Sequence, residues 1–202
     1  MISTDRKLFF FDTETSGLDP DRNDILSLSY IIEINGSIRK RDTLYIQPFN
    51  WDALDPGALM VNGFTVEKLL TFHEPHYAHA ALLDVLSRYV DKFDPQDKFY
   101  PVAYNVKFDM GFLSSFFKKC DDPYFGSWFN GKDLDPLQML RYLDYLGVTA
   151  LPDYKLVTVA QHFGFPHKAH DAESDTDVLH SIFHRIAGIF NRTYFLPEVD
   201  HE

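Results

Sequence analysis

The first fifty positions alternate between apolar runs and short polar breaks, with the periodicity of strands rather than helices. Residues 7–13, built around Leu8-Phe9-Phe10-Phe11, predict one buried strand; Gly17, Asp19 and Pro20 mark a loop; residues 25–34, rich in β-branched and aromatic side chains, predict a second strand. Asn35-Gly36 follows as a hairpin signal, because both residues tolerate the positive φ of a two-residue turn. A third strand is expected over 37–46, ending before Pro48. Residues 51–72 carry Pro56, Gly57 and Gly63 and read as loops with short helices. The period then changes. Ala81, Leu82, Val85, Leu86, Tyr89 and Val90 recur at helical spacing, predicting a long amphipathic helix over 78–93. A short apolar strand is expected over 98–104, and over 109–119 an aromatic helix whose basic last turn suits the helix dipole. Helical patterns recur at 134–146, 155–163 and 172–190, and residues from 191 onward read as a short, loosely docked tail. Three strands, a helix, a strand and further helices predict an α/β layered fold in one domain spanning 1–202, with its core over about 7–190.

Composition narrows the class. The chain has 202 residues, 45% hydrophobic and 16% aromatic, enough for a real core and against disorder. The apolar run at 8–11 is cut by Asp12 and Glu14, so it has neither the flank and length of a signal peptide nor the reach of a membrane span; a soluble, cytoplasmic protein with no membrane partner is expected. The single cysteine, Cys120, rules out an intrachain disulfide framework and a thiolate zinc site. A net charge of −11 argues at first against a polyanionic partner such as nucleic acid.

Four of the 30 carboxylates stand where a carboxylate is costly. Asp12 and Glu14 are two apart at the end of an apolar strand, so a period of two puts both on one face; a strand ending at Phe11 would instead leave them in a loop. Asp109 heads the stripe Phe112, Leu113, Phe116 and Phe117, although an acid in a first helical turn also suits the dipole. Asp175 heads the stripe Leu179, Ile182, Phe183, Ile186 and Phe190, which carries no basic residue to pair with it. A carboxylate aimed into an apolar surface costs several kcal/mol unless it is paired, protonated or metal-bound. Four inward acids form an oxygen-only cluster of the kind that binds Mg²⁺ or Mn²⁺, and two such ions about 3.5–4 Å apart support phosphoryl transfer. His170, five residues before Asp175, can reach that site and take a proton from water near neutral pH. His73, His76 and His79 are also regularly spaced, but share no carboxylate and read as solvated. Walker, serine-elbow and dinucleotide-binding signatures are absent.

Three motifs carry a family resemblance: Phe11-Asp12-Thr13-Glu14-Thr15-Ser16-Gly17-Leu18, Tyr104-Asn105-Val106-Lys107-Phe108-Asp109, and His170-Asp171-Ala172-Glu173-Ser174-Asp175. In this order, spaced by about 95 and 65 residues, they resemble the DnaQ-like 3′-to-5′ exonucleases of the DEDD class, in the subgroup with an active-site histidine. The resemblance covers about residues 7–190. It implies an RNase H-like fold with a mixed five-stranded sheet flanked by helices. It also implies two Mg²⁺ ions, replaceable by Mn²⁺, on Asp12, Glu14, Asp109 and Asp175, and His170 as general base. By the same resemblance, Leu18 wedges beside the terminal base with Phe64 stacking opposite, Thr13 contacts the terminal sugar through its backbone, and Asn105 lies beside the bound strand. Asp122-Pro123-Tyr124 and Ser127-Trp128 are patchily similar to bacterial exonuclease I, which favours single-stranded DNA 3′ ends over RNA. Asn62 and Phe64 depart from the family's usual His or Thr and Ile, so the wall of the nucleotide pocket differs.

The expectation is a free-standing, metal-dependent 3′-to-5′ exonuclease acting on single-stranded or frayed DNA and releasing nucleoside 5′-monophosphates. An exoribonuclease of the same fold, or a non-catalytic nucleic-acid-binding module, are the alternatives, and no protein partner is specified. Two divalent ions would bring the charge from −11 to −7, which leaves room for binding a few terminal nucleotides and disfavours coating of long duplex.

Overall fold

The two central strands form because their residues suit a pleated surface buried on both faces, whereas an outer one, Ser37–Tyr45, has no buried residue. The computed structural model describes residues 6–166 and 172–194. Strand β1 (Lys7–Thr15) pairs antiparallel with β2 (Ile25–Ile34), which pairs antiparallel with β3 (Ser37–Tyr45). The β2–β3 turn is made by Asn35 and Gly36 at φ 53° and 77°, the left-handed pair that a tight hairpin needs. Strand β4 (Tyr100–Val102) lies parallel to β1 on its other side, giving the order β3-β2-β1-β4. β1 outruns it: β4 stops opposite Phe10, so within the sheet residues 11–15 of β1 pair only with β2.

The expected fifth strand is reduced to two isolated parallel bridges beside β4, Phe99 with Phe129 and Val102 with Leu134, the second with the Leu134 N–H reaching the Pro101 carbonyl at 2.9 Å. Among the described residues the sheet therefore has four strands. The segment cannot lengthen because Asp135 caps, and Pro136 begins, the next helix.

Helices follow in the order α1 (Pro56–Asn62), α2 (Val66–Leu69), α3 (Pro75–Ser87), α4 (Val106–Lys119), α5 (Phe125–Trp128), α6 (Pro136–Tyr145), α7 (Leu156–Phe163) and α8 (Ala172–Tyr194). Strand alternation sorts the core into two layers. Phe9, Phe11, Leu28, Tyr30 and Ile32 pack against α3 and α4 through Leu82, Leu86, Phe112 and Phe117. Phe10 and Ile31 face the opposite way, under Leu179 of α8. The outer side of α8 then packs on α6 and α7 through Val178, Ile182, Leu140 and Val159.

Several boundaries differ from the sequence expectation. Helix α3 begins at Pro75 and ends at Ser87, where the Arg88 and Tyr89 amides turn back to carbonyls three residues earlier. His79 falls on the buried stripe at i, i+3 and i+7 with Leu82 and Leu86, so it is not solvated: its ring packs edge-on against Phe117 at 4.8 Å and its Nε2 lies 3.2 Å from Asp122 Oδ2. Burial lowers the His79 pKa, with Asp122 acting in the opposite sense. His73 and His76 are exposed, as expected. The first strand extends past Thr13 to Thr15, and α8 continues through Asn191 to Tyr194 instead of ending in a tail at 191. Among the described residues no helix is long and apolar enough to cross a membrane.

Candidate active site

The overhanging end of β1 positions the first two acids. Because β1 continues to Thr15, Asp12 and Glu14 alternate with Thr13 and point to the same face as Phe10, the face covered by α8. Asp175 enters from the first turn of α8, one helical turn before Leu179 of that core layer. Carboxylate oxygens of Asp12, Glu14 and Asp175 all lie within 4.8 Å of one another, from two elements far apart in the chain.

Asp109 arrives from the other layer. Asn105 takes a left-handed conformation (φ 67°, ψ 51°), which asparagine tolerates, and this turn starts α4 directly after β4. Its N–H donates to Asp135 Oδ1 at 3.1 Å, and the same oxygen accepts the Leu137 N–H at 3.0 Å, so one carboxylate fixes the starts of both α4 and α6. Asp109 sits in the first turn of α4 and is 4% exposed. Its Oδ1 accepts two hydrogen bonds from Thr13, from the backbone N–H at 3.1 Å and the hydroxyl at 2.8 Å.

The electrostatics follow from this crowding. The Asp12 carboxyl is pushed well above the usual range, first by burial and then by the negative charges of Asp109, Asp175 and Glu14. Burial raises Asp109 to about 7, against the pull of the Thr13 hydrogen bonds, which favour the anion. Like charges so close need a counter-charge. The donors are oxygens throughout, suited to a hard divalent ion such as Mg²⁺ or Mn²⁺. The residues present thus fit a divalent metal centre.

The remaining expected residues are placed unevenly. Leu18 is 81% exposed on the loop after β1. That loop is held by the Ser16 N–H to the Asp24 carbonyl at 2.8 Å, by Asn23 Nδ2 to the Ala53 carbonyl at 2.7 Å, and by Lys119 Nζ to Asp24 Oδ1 at 2.7 Å. Asn62 Nδ2 donates to the Thr15 carbonyl at 3.2 Å and its Oδ1 accepts the Phe64 N–H at 3.1 Å, so the family departure at 62 ties α1 to the end of β1. Phe64 is half-buried and edge-on to Phe72 at 5.3 Å, with Lys68 Nζ 4.9 Å from its ring centre. Thr13 contributes its N–H to Asp109, a role the sequence analysis missed. Asn105 is exposed at the start of α4. His170 lies outside the described residues. Asp135 was missed as a site-building residue, although an Asp before Pro at a helix start is a readable capping signal.

The family model described as RNase_T exonuclease matches residues 9–183. No curated protein matches the sequence. Among solved structures, E. coli exonuclease I in complex with a dT13 oligonucleotide is similar with a TM-score of 0.75 and 19% identity, covering 93% of this chain and 42% of that one. A product-bound exonuclease I gives 0.73 and 18%, with 93% and 43% covered, and the zinc-bound E. coli exonuclease I–single-stranded DNA complex gives 0.72 and 18%, with 93% and 41% covered. This chain spans about two-fifths of the length of those proteins. The likeness to the solved structures is one of fold, and with the family model matching residues 9–183, the chain belongs to the RNase_T exonuclease family.

Proposed function

We propose that this chain hydrolyses the terminal phosphodiester at the 3′ end of single-stranded DNA, releasing nucleoside 5′-monophosphates in a reaction that requires Mg²⁺ or Mn²⁺. The observation that carries this reading is the convergence of Asp12, Glu14 and Asp175 within 4.8 Å, beside a buried Asp109. Asp12, Glu14, Asp109 and Asp175 would hold the ions. When bound, divalent ions would supply Lewis-acid charge for the scissile phosphate and for activation of the attacking water. The Thr13 hydrogen bonds keep one Asp109 oxygen oriented and favour its anionic form. His170, close to Asp175 in sequence, is the proton acceptor for the attacking water. The exposed Leu18 and the Phe64 ring provide apolar surface for the terminal base, and Asn105 lies along the path of the strand.

The choice of DNA draws support from the solved structures of exonuclease I bound to DNA oligonucleotides, and the polarity from the resemblance carried by the three acidic motifs. The test is degradation of matched DNA and RNA oligonucleotides, single- or double-stranded and labelled at either end, with and without EDTA. Shortening of 5′-labelled single-stranded DNA from its 3′ end, abolished by EDTA and by Asp12→Ala or Asp175→Ala, is the expected result. Undiminished activity in either variant overturns the mechanism, and preferential loss of RNA overturns the substrate assignment.

A further inference from the structure

A second constellation sits further along α8, on the same face of the sheet. Glu33 is 3% exposed in a strand otherwise made mainly of Ile, Leu, Ser and Tyr, and it pairs across the ladder with Leu8. His180 and His184 are four residues apart on α8, so both imidazoles project from one side of the helix. Both present Nε2 to the same carboxylate oxygen, at 2.7 Å and 2.8 Å from Glu33 Oε2. The two rings are 4.6 Å apart, and Phe10 stands edge-on to His180 at 4.8 Å. The three ligand atoms lie within 4.8 Å of one another.

We infer that Glu33, His180 and His184 form a transition-metal site for Zn²⁺, distinct from the acidic cleft. Two imidazoles at i and i+4 on a helix with one carboxylate are a nitrogen-rich donor set that suits Zn²⁺ and not Mg²⁺, the reverse of the oxygen-only cleft. The two sites are separate. Glu33 lies four residues along β2 from Ser29, the partner of Asp12, or about 13 Å at about 3.3 Å per residue, and Phe10, Ile31 and Leu179 fill the space between. Zinc–ligand bonds of about 2.0–2.1 Å in tetrahedral geometry place donors about 3.3 Å apart, so Glu33 need withdraw only about 0.5 Å from its present contacts. A fourth position is accessible: the His184 side chain is 42% exposed, and with His180, Ser181, Arg185 and Phe165 it lines an open pocket. The neighbouring cation, Arg41, is occupied by its ion pair with Asp177. Zinc here clips α8 to β2.

The test uses the full chain carrying Asp12→Asn and Asp175→Asn, which removes the acidic cleft as a competing ion site. After stripping with EDTA it is titrated with Co²⁺ in excess Mg²⁺. The expected result is a single bound Co²⁺ with the intense visible absorption of a tetrahedral site, displaced by Zn²⁺, and a melting temperature raised by Zn²⁺ but not by Mg²⁺. Adding His184→Gln, at a half-exposed position, should lower the affinity by about 100-fold or more and remove the zinc-dependent rise. A metal-free hydrogen-bonded clamp gives the contrary result: no cobalt absorption, and an equal effect of His184→Gln with and without zinc. Absent absorption in the parent, or absorption that persists in His184→Gln, overturns the assignment.

Discussion

Thr13 and Asp109, 96 positions apart, are joined by two hydrogen bonds to a single carboxylate oxygen, so the first and second acidic motifs are in direct contact across the sheet. Thr13 thereby holds Asp109 in place and opposes the burial that would neutralise it. Thr13→Val deletes the 2.8 Å hydroxyl contact, and a hydrogen bond to a charged group contributes about 1.5–3 kcal/mol. The expected outcome is a loss of that order in urea unfolding at pH 8, a smaller loss at pH 5, and an acidic limb of the activity profile displaced to higher pH. Thr13→Ser should behave like the parent.

Asp12→Asn should stabilise the metal-free protein while abolishing nuclease activity. The parent carboxylate suffers burial and the repulsion of three neighbouring acids, both removed by the amide. A gain of about 1 kcal/mol corresponds to about 2–4 °C in melting temperature for a chain of this size. Calorimetry in EDTA is the measurement, and a melting temperature equal to or below the parent's contradicts the repulsion account.

The raised carboxyls also set the pH dependence of stability. Asp109 ionises near 3.8 when unfolded and at about 7 when folded, so between those values the folded state binds more protons. Its stabilising contribution is full below about 4 and is lost as pH rises through about 7. In EDTA the melting temperature should fall across that window. Mg²⁺, which binds the deprotonated acids, should flatten or reverse the slope, and a slope unchanged by Mg²⁺ counts against the metal centre.

Gly17 precedes Leu18 in the loop that follows β1. A β-carbon there would lie 2.4 Å from Asn23 Cγ, and Asn23 is committed to the Ala53 carbonyl and the Asp19 amide. Gly17→Ala should cost about 1–3 kcal/mol and raise KM for oligonucleotides by displacing Leu18. Combining it with Asn23→Ala should cost less than the two changes separately, read from urea midpoints as a double-mutant cycle.

Much of this was readable from residue order because period and burial coincide. The second strand is found as expected over Ile25–Ile34, and Asp175 stands out because it heads the apolar helical stripe Leu179, Ile182, Phe183 and Ile186. What escaped depended on contacts between distant segments. Nothing local to Thr13 announces that its hydroxyl meets Asp109. The fifth strand was expected from family likeness, but its segment makes only isolated bridges at Phe129 and Leu134 before the Asp135-Pro136 helix start ends it. His79 reads as solvated beside His73 and His76, but it shares the apolar stripe of Leu82 and Leu86, and its partners Asp122 and Phe117 come from a distant segment. Glu33, His180 and His184 left a signal that went unused: an acid inside a buried strand, and two histidines four apart on a helix.

The mismatch in length between β1 and β4 has a mechanical consequence. Asp12, Thr13 and Glu14 ride on a cantilever, anchored along one side by β2 and free of ladder bonds to β4 on the other. Strain imposed by a tight ligand can bend this tip without tearing the rest of the sheet. The amides of residues 11–15 should accordingly exchange hydrogen through a local opening, slowed when a cation locks the acids, while those of Phe9 and Phe10 open only when the whole fold does.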